Sequence, residues 1–258
     1  MLKTVIRKVI PRNSFPYRVG KRFLSLFSSE PVIFPIHKVL AWYGRENPDA
    51  FCIQVGSNDG KGGDPLSELF FATNWKGILV EPVPYLFEKL KSNYSAISEK
   101  MIFVNAAISN ERGTAPFWRL KESDDPTLPF FYDQLGSFRK EVVLEHKAQI
   151  PQIESLLMED KVKTILFADL LTDIKRKKID ILHIDTEGYD FEILKMAKIE
   201  TLNLDLILFE HSHLSPADWK ASWKMLRDAG FSVFKWNGDT LGVKKEFAYH
   251  FQANGEVV

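Results

Sequence analysis

This sequence predicts a doubly wound α/β fold with a mostly parallel sheet, and three observations predict it. From Phe51 onward, short apolar runs alternate with longer stretches of helical pattern. The first run, Phe51–Val55, breaks into the turn Gly56-Ser57-Asn58-Asp59-Gly60. The second, residues 77–80, ends on Glu81, at the spacing of about 20 residues where an acid reads the ribose of a nucleotide-like cofactor.

The elements follow in order. After the strand Phe51–Val55, a helix should open near Asp64 and Pro65, where Asp can cap and Pro can occupy the first turn. The strand 77–80 leads to a helix from Pro84 to about Tyr94, with Tyr85, Leu86 and Leu90 facing inward. The strand Met101–Val104 enters Asn105-Ala106-Ala107, and a shorter strand spans 115–120. Residues 121–161 do not read as part of a minimal doubly wound unit. They begin with Pro126 and Pro129, continue through Phe130, Phe131 and Tyr132, and turn helical over 138–149. An insertion of this length reads as a lid or substrate-recognition segment, or else as irregular packing. Regularity returns with a strand at 162–167, a short helix into 175–178 and a strand at 179–184. A helix at 191–197, a strand at 204–209 and a helix at 216–229 stopped by Gly230 complete the alternation. Phe231–Trp236 and 240–243 read as closing strands about the turn Asn237-Gly238-Asp239.

Composition narrows the class. With 258 residues, 45% hydrophobic and 26% charged, the chain can bury a full core, and one domain over 51–258 after an extension over 1–50 is the expected organisation. Formal net charge is zero, so nothing argues for nucleic acid as a partner. The single cysteine, Cys52, excludes an internal disulfide or a cysteine-based zinc site and reads as a buried structural thiol. No apolar run approaches the ~20 residues of a membrane span, and Lys3, Arg7 and Lys8 interrupt any secretory pattern. The cytoplasm is the expected location. The N-terminus carries Lys3, Arg7, Lys8, Arg12, Arg18, Lys21 and Arg22 with no acid before Glu30, and Leu2, Val5, Ile6, Val9 and Ile10 recur at helical spacing. Two readings stand: a solvated first helix packed on the domain, favoured because Pro11 and Pro16 cut the pattern short, or a basic helix touching anionic lipid or an anionic glycan.

In an open parallel sheet, ligands bind beyond the carboxyl ends of the strands. The strand exits here deliver Gly56 to Gly60, then Glu81, then Asn105 and Ala106, then Asp185 with Glu187 and Gly188, then Glu210 with His211 and His213. The glycine loop lacks G-x-G-x-x-G spacing and places Asp59 where a pyrophosphate would need a neutral backbone. An acidic loop suits a cationic or zwitterionic ligand. S-adenosylmethionine fits, with a sulfonium, an ammonium that wants a carboxylate, and ribose hydroxyls for Glu81. A solvated strand end before Pro82 is the plainer reading of Glu81 taken alone.

The strings VGSNDG, GILVEPVPYLFEKLKSNY, FVNAAIS, ILHIDTEGYDFEIL and ILFEHSHLS, in this order between about Phe51 and Gly242, resemble those of the FkbM-type S-adenosylmethionine-dependent methyltransferases. The resemblance implies a Rossmann-like methyltransferase fold, with a mostly parallel seven-stranded sheet and a terminal antiparallel hairpin. It also implies methyl transfer to oxygen, on sugars or on glycan- and polyketide-like acceptors. Ser137, in LGSF, resembles a position that turns back onto the cofactor in this family.

A sugar hydroxyl is a poor nucleophile near neutral pH, so a base, a metal or both must assist. His211 is taken as the base, with Asp185 beside the methyl-transfer centre. His183 alternates with Asp185 along its strand and reads either as a second base or as a satisfied strand histidine. Of His211 and His213, one should serve as a loop-structuring or helix-entry residue. Asp185, Glu187, Glu210 and His211 are ligand types that hold magnesium or manganese. A metal, if used, would sit on Asp185, Glu210 and His211; the same carboxylates would also serve simply to bind hydroxyls. Asp190 is placed to cap the following helix, and Gly188 to permit its turn. Trp118, Phe130, Phe131 and Tyr132 could stack on a sugar ring or pack beneath the insertion. A nicotinamide-dependent oxidoreductase is disfavoured by the acidic loop and the missing glycine spacing. The rival from another class is a non-catalytic adaptor that keeps the fold within a glycan-assembly or membrane-associated complex.

Overall fold

The computed structural model describes residues 31–172 and 178–253. The basic segment at the N-terminus and the end of the short helix expected at 175–178 lie outside or at the edge of those residues. The described residues open with β1 (Val32–Ile33) and α1 (Ile36–Glu46), then run through β2 (Phe51–Val55), α2 (Ser67–Ala72), β3 (Lys76–Val80), α3 (Pro84–Asn93) and β4 (Met101–Val104). An intervening region holds β5 (Ala107–Ile108), β6 (Gly113–Leu120), β7 (Gly136–Ser137), α4 (Lys140–Leu144), α5 (Ile153–Leu156), β8 (Leu157–Ile165) and α6 (Phe167–Thr172). The alternation resumes with β9 (Ile181–Ile184), α7 (Asp190–Ala197), β10 (Leu206–Glu210) and α8 (Pro216–Asp228), and closes with β11 (Phe231–Trp236), β12 (Asp239–Lys244) and α9 (Lys245–Ala253).

The main sheet has the order β1-β11-β12-β10-β9-β2-β3-β4. Its seven expected strands are joined at one edge by the two-residue β1, parallel to β11. Antiparallel pairing is confined to β12, which lies between β10 and β11. This is the Rossmann-like methyltransferase fold. β2 is buried at every position and is flanked by parallel β3 and β9, which is why it reads as one apolar run without alternation. Successive side chains feed opposite faces. Ile53, Leu182, Ile207 and Phe209 pack with Phe191 and Leu194 of α7 and Trp223 and Leu226 of α8. Cys52, Ile181 and Leu208 pack on the other face with Val39, Leu40 and Tyr43 of α1, Phe70 of α2 and Leu90 of α3. Residues from 36 onward therefore share the domain core. Among the described residues no helix is long and apolar enough to cross a membrane.

Several local expectations shift. Asp64 accepts the N–H of Leu66 at 2.8 Å, and α2 begins only at Ser67. The strand expected at 162–167 starts earlier, at Leu157, and ends at Ile165, so Phe167 opens α6 instead. The helix expected at 138–149 divides into α4 and a 3-10 turn over Glu145–Ala148. The largest difference is a second sheet, of order β5-β8-β6-β7. Leu120 pairs with Leu157 at the end of the long β6–β8 hairpin, so residues 121–156 are the excursion at its tip. That excursion has a core of its own, in which Leu120, Leu135, Val143, Ile150 and Ile153 are buried and Trp118, Phe131 and Tyr132 pack against them. Phe130, by contrast, is 80% exposed.

Candidate active site

β2 leads on to β3 at one side and β9 leads on to β10 at the other, so strand order reverses between β2 and β9. Their exits, Gly56 and Asp185, are side by side: the N–H of Asp185 donates to Val55 O at 2.9 Å. A Cβ on Gly56 (φ +84) would lie 1.7 Å from the Asp185 carbonyl oxygen, so only glycine fits this approach. Next door, Glu81 is buried to 4% exposure, its Oε2 accepting the N–H of Asn58 at 2.9 Å and its Oε1 that of Val83 at 2.8 Å. Asn105 Nδ2 donates to Glu81 O at 2.8 Å. These exits frame a cavity holding about 1010 Å³ of empty space, part of it open to solvent.

Of the residues expected to hold a cofactor, Gly56, Ser57, Asn58, Glu81 and Ala106 line the cavity, as does Asp185. Asp59, Gly60, Asn105 and Ser137 lie behind its walls. Asp59 Oδ1 accepts the N–H groups of Lys61 and Gly62, both at 2.9 Å, and so closes the loop on itself. Gly60 backs onto Tyr94, 2.4 Å from where its Cβ would be. Ser137, fully buried, donates from Oγ to Glu187 O at 2.7 Å and thereby ties β7 to the β9 exit. Further ties hold the same strip over the cavity: Tyr85 donates to Asp133 O at 3.0 Å, Lys89 meets the Asp133 carboxylate at 3.0 Å, and Asn58 Nδ2 donates to Gln134 O at 3.3 Å.

The electrostatics divide the cavity. Burial pushes the Glu81 carboxyl up to about 7 against the two N–H groups that hold it. His183, on the cavity floor, is pushed down to about 4 by burial and is neutral; its Nδ1 has no partner, nor has Oε1 of Gln54 beside it. Asp185 is exposed into the cavity; its deep setting, and after that repulsion from Glu210 and Glu187, hold its carboxyl well above the ordinary range. Asp190 is the first residue of α7 and makes no capping bond. Its Oδ2 accepts instead from Thr186 Oγ1 at 3.0 Å and the N–H of Gly188 at 3.3 Å, fixing the turn that carries Glu187.

The two histidines after β10 part company. His211 does not line the cavity. Its N–H donates to Gly238 O at 2.7 Å, its Nδ1 meets Thr240 Oγ1 at 2.9 Å, and its ring stacks on Trp219 with centroids 4.6 Å apart. Burial and then Lys235 push it down to about 4. The structure therefore separates His211 from Asp185 and from the expected magnesium set. Asp185, Glu187 and Glu210 do converge, each offering an oxygen within 4.8 Å of the others. The histidine that reaches them is His213, whose Nε2 lies 3.1 Å from Glu187 Oε2 and 3.8 Å from Glu210 Oε1.

Residues 54–233, more than half of the chain, match the Methyltransferase FkbM domain family. The chain belongs to this family. Its fold is similar to that of the crystal structure of methyltransferase FkbM from Methylobacillus flagellatus KT, with 12% identity and a TM-score of 0.50, over 82% of this chain and 48% of that one. The METTL16 MTase domain is similar at 12% identity and a TM-score of 0.45, over 81% of this chain and 65% of that one. The N-terminal domain of human METTL16 in complex with SAH gives 13% identity and a TM-score of 0.44, over 81% and 68%. The chain thus spans less than two thirds of the first of these METTL16 structures and about half of the Methylobacillus protein. A comparison with curated protein sequences found no match.

The FkbM domain match begins at Gln54 and takes in every strand exit that lines the cavity, together with the covering excursion. Sequence reasoning missed Gln54 as a cavity residue because it sits inside an apolar strand, although one polar side chain within FCIQV is itself a signal. It also missed Gln134, Leu135 and Gly136. Those lie at and just before β7, which pairs with β6, beside the Ser137 that the family resemblance singles out.

Proposed function

We propose that this FkbM domain is an S-adenosylmethionine-dependent O-methyltransferase acting on a hydroxyl of a sugar, a glycan or a glycosylated small molecule. The observation that carries the reading is the cavity at the strand-order reversal, which joins a glycine-lined wall with a buried carboxylate to a wall of acids. The residues present fit the cofactor. Gly56 lets the β2 exit lie directly against the Asp185 backbone at the cavity wall, Glu81 offers its remaining lone pairs to ribose hydroxyls, and Gln54 Oε1 and His183 Nδ1 are buried polar atoms on the cavity lining without partners. Gly56, Ser57, Asn58, Glu81 and Ala106 would hold it. When bound, it supplies a methyl group activated by the adjoining sulfonium.

On the other wall, Asp185 accepts the hydrogen bond of the acceptor hydroxyl, aims its oxygen at the methyl-transfer position and takes up the proton that the hydroxyl loses. Alignment of this kind supplies much of the rate of an in-line displacement. Neutral His183 beneath offers a further polar contact and carries no charge that would repel a sulfonium. Carboxylates at the acceptor wall suit ligands rich in O–H donors, which is the support for a sugar-type acceptor. Calorimetry of the full chain with S-adenosylhomocysteine tests the donor half, and methyl transfer from labelled cofactor to a panel of glycosides tests the acceptor half. Absence of binding at millimolar cofactor by a folded protein would overturn the reading and favour the non-catalytic adaptor.

A further inference from the structure

The excursion at the tip of the β6–β8 hairpin brings more than cover to the acceptor wall. The 3-10 turn Glu145–Ala148 delivers His146 and Glu145 to the exits of β9 and β10. One ring nitrogen of His146, one of His213 and one oxygen of Glu187 lie within 4.8 Å of one another. From these placements we propose that His146, Glu187 and His213 form a binding site for a divalent transition-metal ion of the zinc or cobalt class, at the acceptor side of the cavity.

Four observations support the site. Ligands bound at about 2.0–2.2 Å from a tetrahedral ion stand roughly 3–3.5 Å apart, and the Glu187–His213 pair already has that spacing, at 3.1 Å. His213 is oriented from behind, because its Nδ1 faces Glu145 Oε2 at 2.8 Å; that is the outer carboxylate which metal-bound histidines use to fix their ring and direct Nε2 at the ion. His146 Nε2 is buried and has no partner. Glu210 Oε2 is likewise buried and without a partner, and Glu210 belongs with Asp185 to the adjoining oxygen set that shares Glu187. Glu210 is therefore available as a fourth ligand. Arg139, whose Nη1 lies 3.6 Å from where a Cβ on Gly188 would be, is paired with Glu141 at 3.0 Å. Two imidazoles with carboxylate oxygen select zinc, cobalt or iron over magnesium, which takes oxygen ligands only.

Glu187 lines the cavity, so an ion held there would face the acceptor and polarise a hydroxyl oxygen. That purpose, though not the binding itself, rests on the methyltransferase reading. The rival account of the same geometry is an ion pair in which a protonated His213 bridges Glu145 and Glu187 with no metal.

Cobalt(II) is the probe, because its visible absorption distinguishes a protein site from the aqueous ion. The chelator-treated full chain is expected to take up one equivalent of cobalt with intense d–d bands, which zinc then displaces. His146→Ala removes a ligand whose Nε2 makes no hydrogen bond, so this variant keeps its fold by circular dichroism and loses the bands. His213→Ala loses them too, and Glu145→Gln weakens binding about tenfold while keeping the spectrum. A wild type that shows only the aqueous cobalt spectrum, or a His146→Ala variant that binds cobalt as tightly as wild type, overturns the site and leaves the ion pair. S-adenosylhomocysteine calorimetry on the same proteins separates the two failures. Loss of metal with cofactor bound refutes the site alone, and metal binding without cofactor binding refutes the methyltransferase reading alone.

Discussion

Glu81 offers the sharpest test of the donor wall, because the geometry that makes it useful also makes it costly. Its carboxyl is held at about 7, raised from the ordinary 4.5 by burial. An acid whose folded value exceeds its unfolded value keeps its proton longer in the folded state. Stability from this group is therefore fully present below about pH 4.5 and falls as pH rises toward 7, beyond which both states are ionised. The shift corresponds to a loss of about 3 kcal/mol across that window. In Glu81→Gln the pH-dependent part vanishes. One of the two N–H donors, from Asn58 or Val83, is left facing an amide NH₂, at a pH-independent cost of about 1–3 kcal/mol. Urea unfolding at pH 5 and at pH 8, with equal slopes for both proteins, reads the difference directly. Wild type should be the more stable at pH 5, and the gap should close by about 2.5 kcal/mol at pH 8, since part of the window is already passed at pH 5. The same variant should bind S-adenosylhomocysteine about tenfold to a hundredfold more weakly, through loss of a charge-assisted contact to the ribose. A wild-type-minus-variant difference that stays constant with pH would show that Glu81 titrates as an ordinary surface acid. The buried donor wall would then be wrong.

The other predictions concern single positions around the same cavity. Gly56→Ala places a Cβ 1.7 Å from the Asp185 carbonyl at φ +84; it should cost at least about 3 kcal/mol and lower the melting temperature by roughly 6–12 °C, and an unchanged melt would contradict the close approach. Asp185→Asn should lower kcat about a hundredfold or more, with cofactor affinity moved less than about threefold; equal losses in both would place Asp185 on the donor side. His211→Ala should cost about 1–2 kcal/mol through the lost Thr240 bond and Trp219 stack, with kcat within about threefold of wild type. A hundredfold loss of turnover, with cofactor still bound, would instead restore His211 as the base.

What the sequence made legible is what burial writes into it. β2 has the bounds read from its apolar run, because a strand covered on both faces leaves little to blur its ends. β4 and β11 also match their expected bounds, although Ile102 is exposed at the sheet edge and Ser232 and Lys235 interrupt the apolar run of β11. β8 was half missed for the converse reason. Of its nine residues, LMEDKVKTI, only Val162 and Thr164 are buried, so its first half reads as a charged loop until β6 is known to lie beside it. The histidines after β10 show a different limit. His211 and His213 are two residues apart and would share a face if the strand continued. The chain turns first: Gly238 O captures the His211 N–H, and Thr240 and Trp219 then draw that ring toward the β11–β12 hairpin. His213, past the turn, swings back to Glu187. Nothing within three residues of either histidine distinguishes these outcomes, because the deciding partners lie 8 to 29 positions away along the chain. The same holds for Glu145 and His146, which meet His213 from a segment 68 residues upstream. Strand ends could be read one at a time and already assembled the cavity wall around Gly56 and Glu81. The acidic wall exists only where three distant turns meet, and it is there that the proposed acceptor chemistry has to be tested.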